Sequence, residues 1–245
     1  MTIETNNSLS VDCVIFGYDN DGLKVLLVKQ RKSSSYNTDH TRLKLPGSMI
    51  LENETLPNAA RRVLLESTGL ESVYLQQTDI FSNPDRVAGE ELNWITEFYN
   101  IKTNRVVTVG YYALVQITPK ILKHTARKGA QWYKYDEIDN LAMDHSQILD
   151  HSLSVMRREF EHSTIAFELL PRKFTIRELQ DLHSVVMGVN IDNRNFRKKI
   201  LGAGILKPTG VKQRGVAHKP AEYFMLNVSA YKKGERRGIH TSISI

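Results

Sequence analysis

The 245-residue sequence predicts an α+β protein built in two parts: a mixed sheet-and-helix domain, then a small helix–turn–helix module closed by a β-hairpin. Three observations predict it. Over residues 1–160, short β-rich runs bounded by Gly, Pro, Asn and Asp are interrupted by two stretches with apolar residues at helical spacing. At Leu169-Leu170-Pro171 the pattern changes to two short helices followed by a strand–loop–strand. The charge changes there too. Residues 1–170 hold 18 Lys and Arg against 22 Asp and Glu, whereas residues 171–245 hold 15 against 5.

A net charge of +6 therefore hides an acidic body carrying a basic block of +10. Such a block points to a polyanionic partner, most often nucleic acid. With a single cysteine, Cys13, neither an intramolecular disulfide nor a Cys-rich zinc site is expected. No apolar run reaches the roughly 18 residues of a membrane span. The N-terminus, MTIETNNSLS, lacks a basic n-region and an apolar h-region, so the expected address is the cytoplasm and no membrane partner is expected.

In chain order, 11–16 reads as a strand, 17–22 as a turn rich in Asp, Asn and Gly, and 23–29 as the returning strand of a hairpin. A polar loop, 31–41, precedes a short extended piece at 43–46. The first helix runs over 56–68. Leu56, Ala59, Ala60, Val63 and Leu64 make its apolar face, Pro57 is tolerable only in its first turn, and Gly69 supplies a left-handed end. Residues 73–81, 106–117 and 131–135 read as strands and 149–160 as the second helix. We expect a first domain over 1–160 and a linker over 161–170.

The second domain is expected over 171–230. Thr175 and Glu178 have capping-box spacing, ahead of a helix with Leu179, Leu182, Val185 and Val186 on one face and Gly188 at its end. Asp192 N-caps a second helix over 193–201, and Gly202 and Gly204 end it. Strands at 205–207 and 223–227 flank a basic turn, 210–215. Helix, turn, helix, then hairpin is the order of a winged helix-turn-helix. In that fold Phe196 anchors the second helix, and Arg194, Asn195, Arg197 and Lys198 are the candidates for DNA contact. Arg reads guanine and Asn reads adenine through paired hydrogen bonds. Lys212 and Arg214, in the turn, suit a wing laid along phosphates. A basic tail, 231–245, carries Lys232, Lys233, Arg236 and Arg237.

Residues 48–70, SMILENETLPNAARRVLLESTGL, resemble the Nudix box, which reads Gly, five residues, Glu, seven residues, then Arg-Glu-aliphatic-x-Glu-Glu-x-Gly-aliphatic. The spacing is kept without a gap. Glu54, Arg62, Leu64, Glu66, Gly69 and Leu70 match; Ser48, Val63 and Ser67 depart. The resemblance implies a Nudix-like α/β/α sandwich. In a working box, carboxylates at the positions of Val63 and Ser67 share one helix face and hold Mg²⁺, which needs hard oxygen ligands. Val63 offers none and Ser67 a neutral hydroxyl, while Glu66 is placed one position off that face. We therefore expect no catalytic residues, no metal and no cofactor, with Arg62 and Glu66 as a structural ion pair.

Residues 169–227 resemble the winged helix of Nudix-related bacterial transcription regulators, a group that includes regulators of NAD metabolism and of L-arabinose use. The carrying residues are Leu170-Pro171, Phe174-Thr175, Glu178-Leu179-Gln180, the run from Asn193 to Lys199, Thr209-Gly210 and Lys219-Pro220-Ala221. The two halves together imply a ligand-responsive regulator: a homodimer on a palindromic double-stranded DNA operator, with a small-molecule effector in the degenerate box domain. The group offers a sugar such as L-arabinose, or ADP-ribose, as effector. Loss of the metal carboxylates leans toward the sugar. Effector-binding candidates are Glu66, Arg86, Tyr111, Asp144 and His145. Asp144 has helix capping as its alternative, and of Tyr111 and Tyr112 at most one faces a pocket. The alternative function is an active hydrolase of a nucleoside diphosphate-linked substrate such as ADP-ribose.

Overall fold

The computed structural model describes residues 5–19, 21–30, 42–217 and 219–231; the expected loop 31–41 and nearly all of the basic tail, with its four cations, lie outside them. Strands β1 (Thr5–Asp19) and β2 (Gly22–Lys29) form the predicted hairpin. After β3 (Leu43–Lys44) comes β4 (Gly47–Leu51), which the sequence did not signal. β4 pairs antiparallel with β1, placing Gly47 opposite Asp12, where a Cβ would overlap the Asp12 carboxylate. Helix α1 (Leu56–Thr68) has the predicted bounds. Its C-cap, Gly69, has φ +72°, and a Cβ there would lie 2.7 Å from the His124 ring, so backbone and packing both require glycine.

β5 (Tyr74–Phe81), β6 (Val107–Gln116) and β7 (Ala130–Lys134) complete a seven-stranded sheet of order β3-β2-β1-β6-β5, with β4 on β1 and β7 on β2. Two helices were not foreseen: α2 (Glu90–Tyr99) and α3 (Pro119–Arg127). α2 is rich in aromatic and β-branched residues, and its N-cap, Gly89, accepts no side-chain cap bond. α3 carries readable signals, a Thr118 cap on the Ile121 N–H and Pro119 in the first turn, in only nine residues. α4 (His145–His162) starts four residues earlier than its apolar pattern.

One face of the sheet is covered by α1 and α3. Val11, Cys13 and Ile15 of β1 and Val109, Tyr111, Ala113 and Val115 of β6 alternate onto Ala59, Ala60, Val63, Leu64 and Ile121. Phe16 and Tyr112, on the opposite parity, pack edge to face at 6.3 Å. Near β5, His151 of α4 stands edge-on to Phe81 and 3.6 Å from Asp79.

The chain divides into two compact units. The first holds Met1–Gly17 and Lys24–Val155, and the second holds Tyr18–Leu23 and Met156–Ile245. The tip of the first hairpin thus belongs with the second unit, and the division falls inside α4 rather than at 160. Within the second unit, the stretch 161–170 is packed rather than extended: a 3₁₀ turn (Ile165–Glu168) and Leu169 bury Ile165, Ala166 and Leu169. Then α5 (Ile176–Met187) opens with both capping-box bonds made, Glu178 N–H to Thr175 Oγ1 (3.2 Å) and Thr175 N–H to Glu178 Oε2 (2.6 Å). α6 (Asn193–Gly202) is capped by Asp192, which accepts from the Asn195 N–H at 2.7 Å. β8 (Leu206–Lys212) and β9 (Glu222–Leu226) form the hairpin, with Phe174 bridging Phe224. The wing's turn lies later than the predicted 210–215. β8 continues through Lys212, its pairing shifted by a bulge between Pro208 and Lys212 that contains Gly210 at φ +71°.

Candidate functional site: a degenerate box cavity and a basic helix

In the first unit, Arg62 organises the loop from β4 to α1. Its Nε and Nη2 donate to Glu54 Oε1 and Oε2 at 2.9 and 2.7 Å, Nη2 also to the Met49 carbonyl at 3.2 Å, and Nη1 to Ser48 Oγ at 3.3 Å. The Arg62 bonds hold the Glu54 carboxyl below its usual range, against a smaller effect of burial. The expected Arg62–Glu66 pair exists only at 3.9 Å, with Glu66 largely exposed, so Glu54 is the main partner.

Val63, Glu66 and Ser67 all border one cavity of about 830 Å³. Positions i, i+3 and i+4 share a helix face, so Glu66 lies on the face from which the sequence reading excluded it. It brings one carboxylate there, beside an aliphatic side chain and a hydroxyl. This set does not fit the magnesium site that a working box holds. Among the described residues no group of three His, Cys, Asp or Glu is placed to hold a metal ion.

The other walls come from elements the sequence did not assign to the site. Trp94, Phe98 and Tyr99 of α2 line it. Trp94 stacks on Phe98 at 5.0 Å, and Tyr99 meets Phe98 edge-on at 4.9 Å. Burial pushes the Tyr99 phenol up to about 12, so it stays protonated at neutral pH. Lys29, Lys44 and Lys128 line the same cavity. Register explains one of them: Val28 lies opposite both Lys44 and Ala130, and cross-strand partners share a sheet face.

A second, small cavity of about 30 Å³ has room for a water rather than a metabolite. It shares Lys44, Gly47, Ser48, Trp94 and Tyr99 with the larger one and is otherwise walled by Asp12, Arg86 and His145, among others. His145 accepts from the Leu45 N–H at Nδ1 (2.9 Å) and turns Nε2 toward Asp12 Oδ1 at 3.8 Å. Burial pulls its pKa down to about 4, so the ring is neutral, with its proton on Nε2. Burial also lowers the Lys44 ammonium, against the opposing charge of Asp12.

The five effector candidates therefore separate. Glu66 lines the large cavity. Arg86 and His145 line the small one. Asp144 lines neither, and its carboxylate does not cap α4. It accepts from Arg86 Nε at 2.8 Å and Nη2 at 2.7 Å in a buried pair. Tyr111 is in the core under α1, its hydroxyl donating to Gln77 Oε1 at 3.2 Å, and lines neither cavity. Tyr112 is equally buried on the other face, so neither tyrosine of the pair reaches these cavities. The missed residues of α2 had a signal, since Leu92, Ile95 and Tyr99 alternate with Trp94 and Phe98 at helical spacing.

In the second unit, α6 is two-faced. Phe196 and Ile200 are buried, whereas Arg194, Asn195, Arg197, Lys198 and Lys199 are exposed. Phe196 packs on His183 at 5.4 Å, and His183 on Phe160 at 5.2 Å. Burial lowers the His183 pKa to about 4. Lys212 ends β8 opposite Glu222, and Arg214 is exposed in the wing connection. The predicted DNA-contact residues thus stand outward on α6 and the wing.

Residues 7–152 match the NUDIX domain family, and residues 166–226 match the NrtR DNA-binding winged helix domain. The chain is 25% identical over 227 residues, 91% of its own length and 83% of the relative, to the ADPR responsive transcriptional repressor NtrR of Acinetobacter baylyi. Its structure resembles that of Shewanella oneidensis NrtR complexed with a 27mer DNA, at TM-score 0.72 and 28% identity over 91% of this chain and 95% of that one. It also resembles a MutT/nudix family protein from Enterococcus faecalis, at TM-score 0.67 and 25% identity over 90% and 88%. The chain belongs to the Nudix-domain family, in the branch that joins a Nudix domain to an NrtR-type DNA-binding winged helix.

Proposed function

We propose that this protein is a DNA-binding transcriptional repressor whose Nudix domain senses ADP-ribose without hydrolysing it. The observation that carries the reading is a cavity of metabolite size on the box face of α1, where Val63 and Ser67 stand at the metal-ligand positions, in a chain that also presents a basic recognition helix. The description of the Acinetobacter relative as ADPR responsive supports ADP-ribose as effector. So does the aromatic wall of Trp94, Phe98 and Tyr99, which offers an adenine a stacking surface. A free pentose such as L-arabinose, toward which the missing carboxylates lean, would fill little of a cavity this large.

In this reading Arg194, Asn195, Arg197 and Lys198 contact bases and phosphates in the major groove, and Lys212 and Arg214 hold the backbone from the wing. A winged helix covers one half-site, so two copies act as a homodimer on a palindrome, in the cytoplasm. Selection of bound sequences from a random DNA pool tests this. A palindromic winner bound about 10³-fold or more tighter than scrambled DNA at one salt concentration is the expected result. Flat affinity across sequences contradicts it. Mg²⁺-dependent turnover of ADP-ribose above the buffer rate would reinstate the hydrolase.

A further inference from the structure

From the lysines around the box cavity we infer that the effector's diphosphate is bound without a divalent metal, its charge met by Lys29, Lys44 and Lys128. This rests on the ADP-ribose reading above. A diphosphate carries two negative charges that must be neutralised as it leaves water. A working box does this with metal ions on carboxylates. Here Val63 and Ser67 have removed two of those carboxylates from the face, and among the described residues three lysines line the same cavity against one carboxylate, Glu66. The cavity's lining charge is positive, the opposite of a cation site.

Each lysine is delivered by a different structural feature. Lys29 ends β2, Lys44 sits in β3 opposite Val28, and Lys128 follows α3, where Gly129 at φ +74° turns the chain into β7. Lys29 and Lys128 are exposed, so their side chains are free of burial that would cost them their charge. Lys44 is half-buried and lines the small cavity together with Asp12, and an anion in the large cavity would favour its charged form. The missing carboxylates, which on sequence argued against a diphosphate, are thereby offset by cations the box motif does not contain.

The test is calorimetric titration of the full chain with ADP-ribose, once in excess EDTA and once in millimolar Mg²⁺. The two dissociation constants are expected to agree. Lys29→Gln and Lys128→Gln, both at exposed positions, should each weaken ADP-ribose binding about tenfold, the loss of one charge-assisted contact. They should leave binding of uncharged adenosine unchanged. Binding that needs Mg²⁺, or that ignores both substitutions, overturns this inference and leaves the effector reading standing. No binding of ADP-ribose under either condition overturns the effector reading, and this inference with it.

Discussion

Arg86 shows how a residue with the right chemistry for a ligand can be committed elsewhere. Its guanidinium is spent on Asp144, with both side chains at most 8% exposed. Removing one member of such a pair leaves a buried charge alone, at a cost of about 3–5 kcal/mol, whereas replacing both with apolar residues is far cheaper. Arg86→Met should therefore lower the urea midpoint markedly, and adding Asp144→Leu should restore most of it. A double variant as unstable as the single one would mean that the guanidinium acts outside the pair. From sequence, Arg86, Asp144 and His145 could be named as effector candidates. Their partners were not, because the contacts span 58 residues for Arg86–Asp144 and 100 for Leu45–His145. Arg62 teaches the same lesson at shorter range: its i+4 neighbour Glu66 was the legible partner, but the loop returns Glu54 at bidentate distance.

At the scale of elements, local chemistry predicted what it controls. The helix α1 was readable from its apolar period, Pro57 and Gly69, and the capping box of α5 from Thr175 and Glu178. β4 and α2 were passed over for different reasons: β4 is fixed by pairing with β1, a tertiary effect, while the helical spacing in α2 starts at Gly89 with no side-chain cap to mark it. That gap is why the aromatic wall of the cavity went unseen. The seating of α6 gives two predictions. Arg197 is exposed while Phe196 beside it is buried, so Arg197→Ala should weaken operator binding with the thermal midpoint unchanged. An unaltered affinity would remove Arg197 from the interface.

His183 beneath α6, and His145 in the first unit, have folded pKa values near 4, against about 6.5 unfolded. Between those values the unfolded chain binds more protons than the folded one. Stability is then full above pH 6.5 and falls as pH drops toward 4, by up to about 1.4 kcal/mol per pH unit for each proton. Urea unfolding across pH 7 to 4 should show this slope, and His183→Leu should reduce it. A slope unchanged by the substitution would place the proton uptake elsewhere.

At the scale of the whole molecule, the proposed function requires a linkage between a cavity in one unit and a basic helix in the other. The charge division was legible in the sequence, net −4 before residue 171 and +10 after it, and so was the order of folds. The division of the structure inside α4, with Tyr18–Leu23 grouped in the second unit, was not, because chain order does not reveal which unit a hairpin tip joins. Thermodynamics sets the requirement: an effector changes DNA affinity only if it binds the DNA-competent state with a different affinity from the other state. The most direct measurement is the dissociation constant for the selected operator at one fixed salt, with and without saturating ADP-ribose. A shift of about tenfold or more is expected, within the usual range of allosteric coupling, and no comparable shift with L-arabinose. An operator affinity that stays constant while ADP-ribose fills its site would contradict the proposed function.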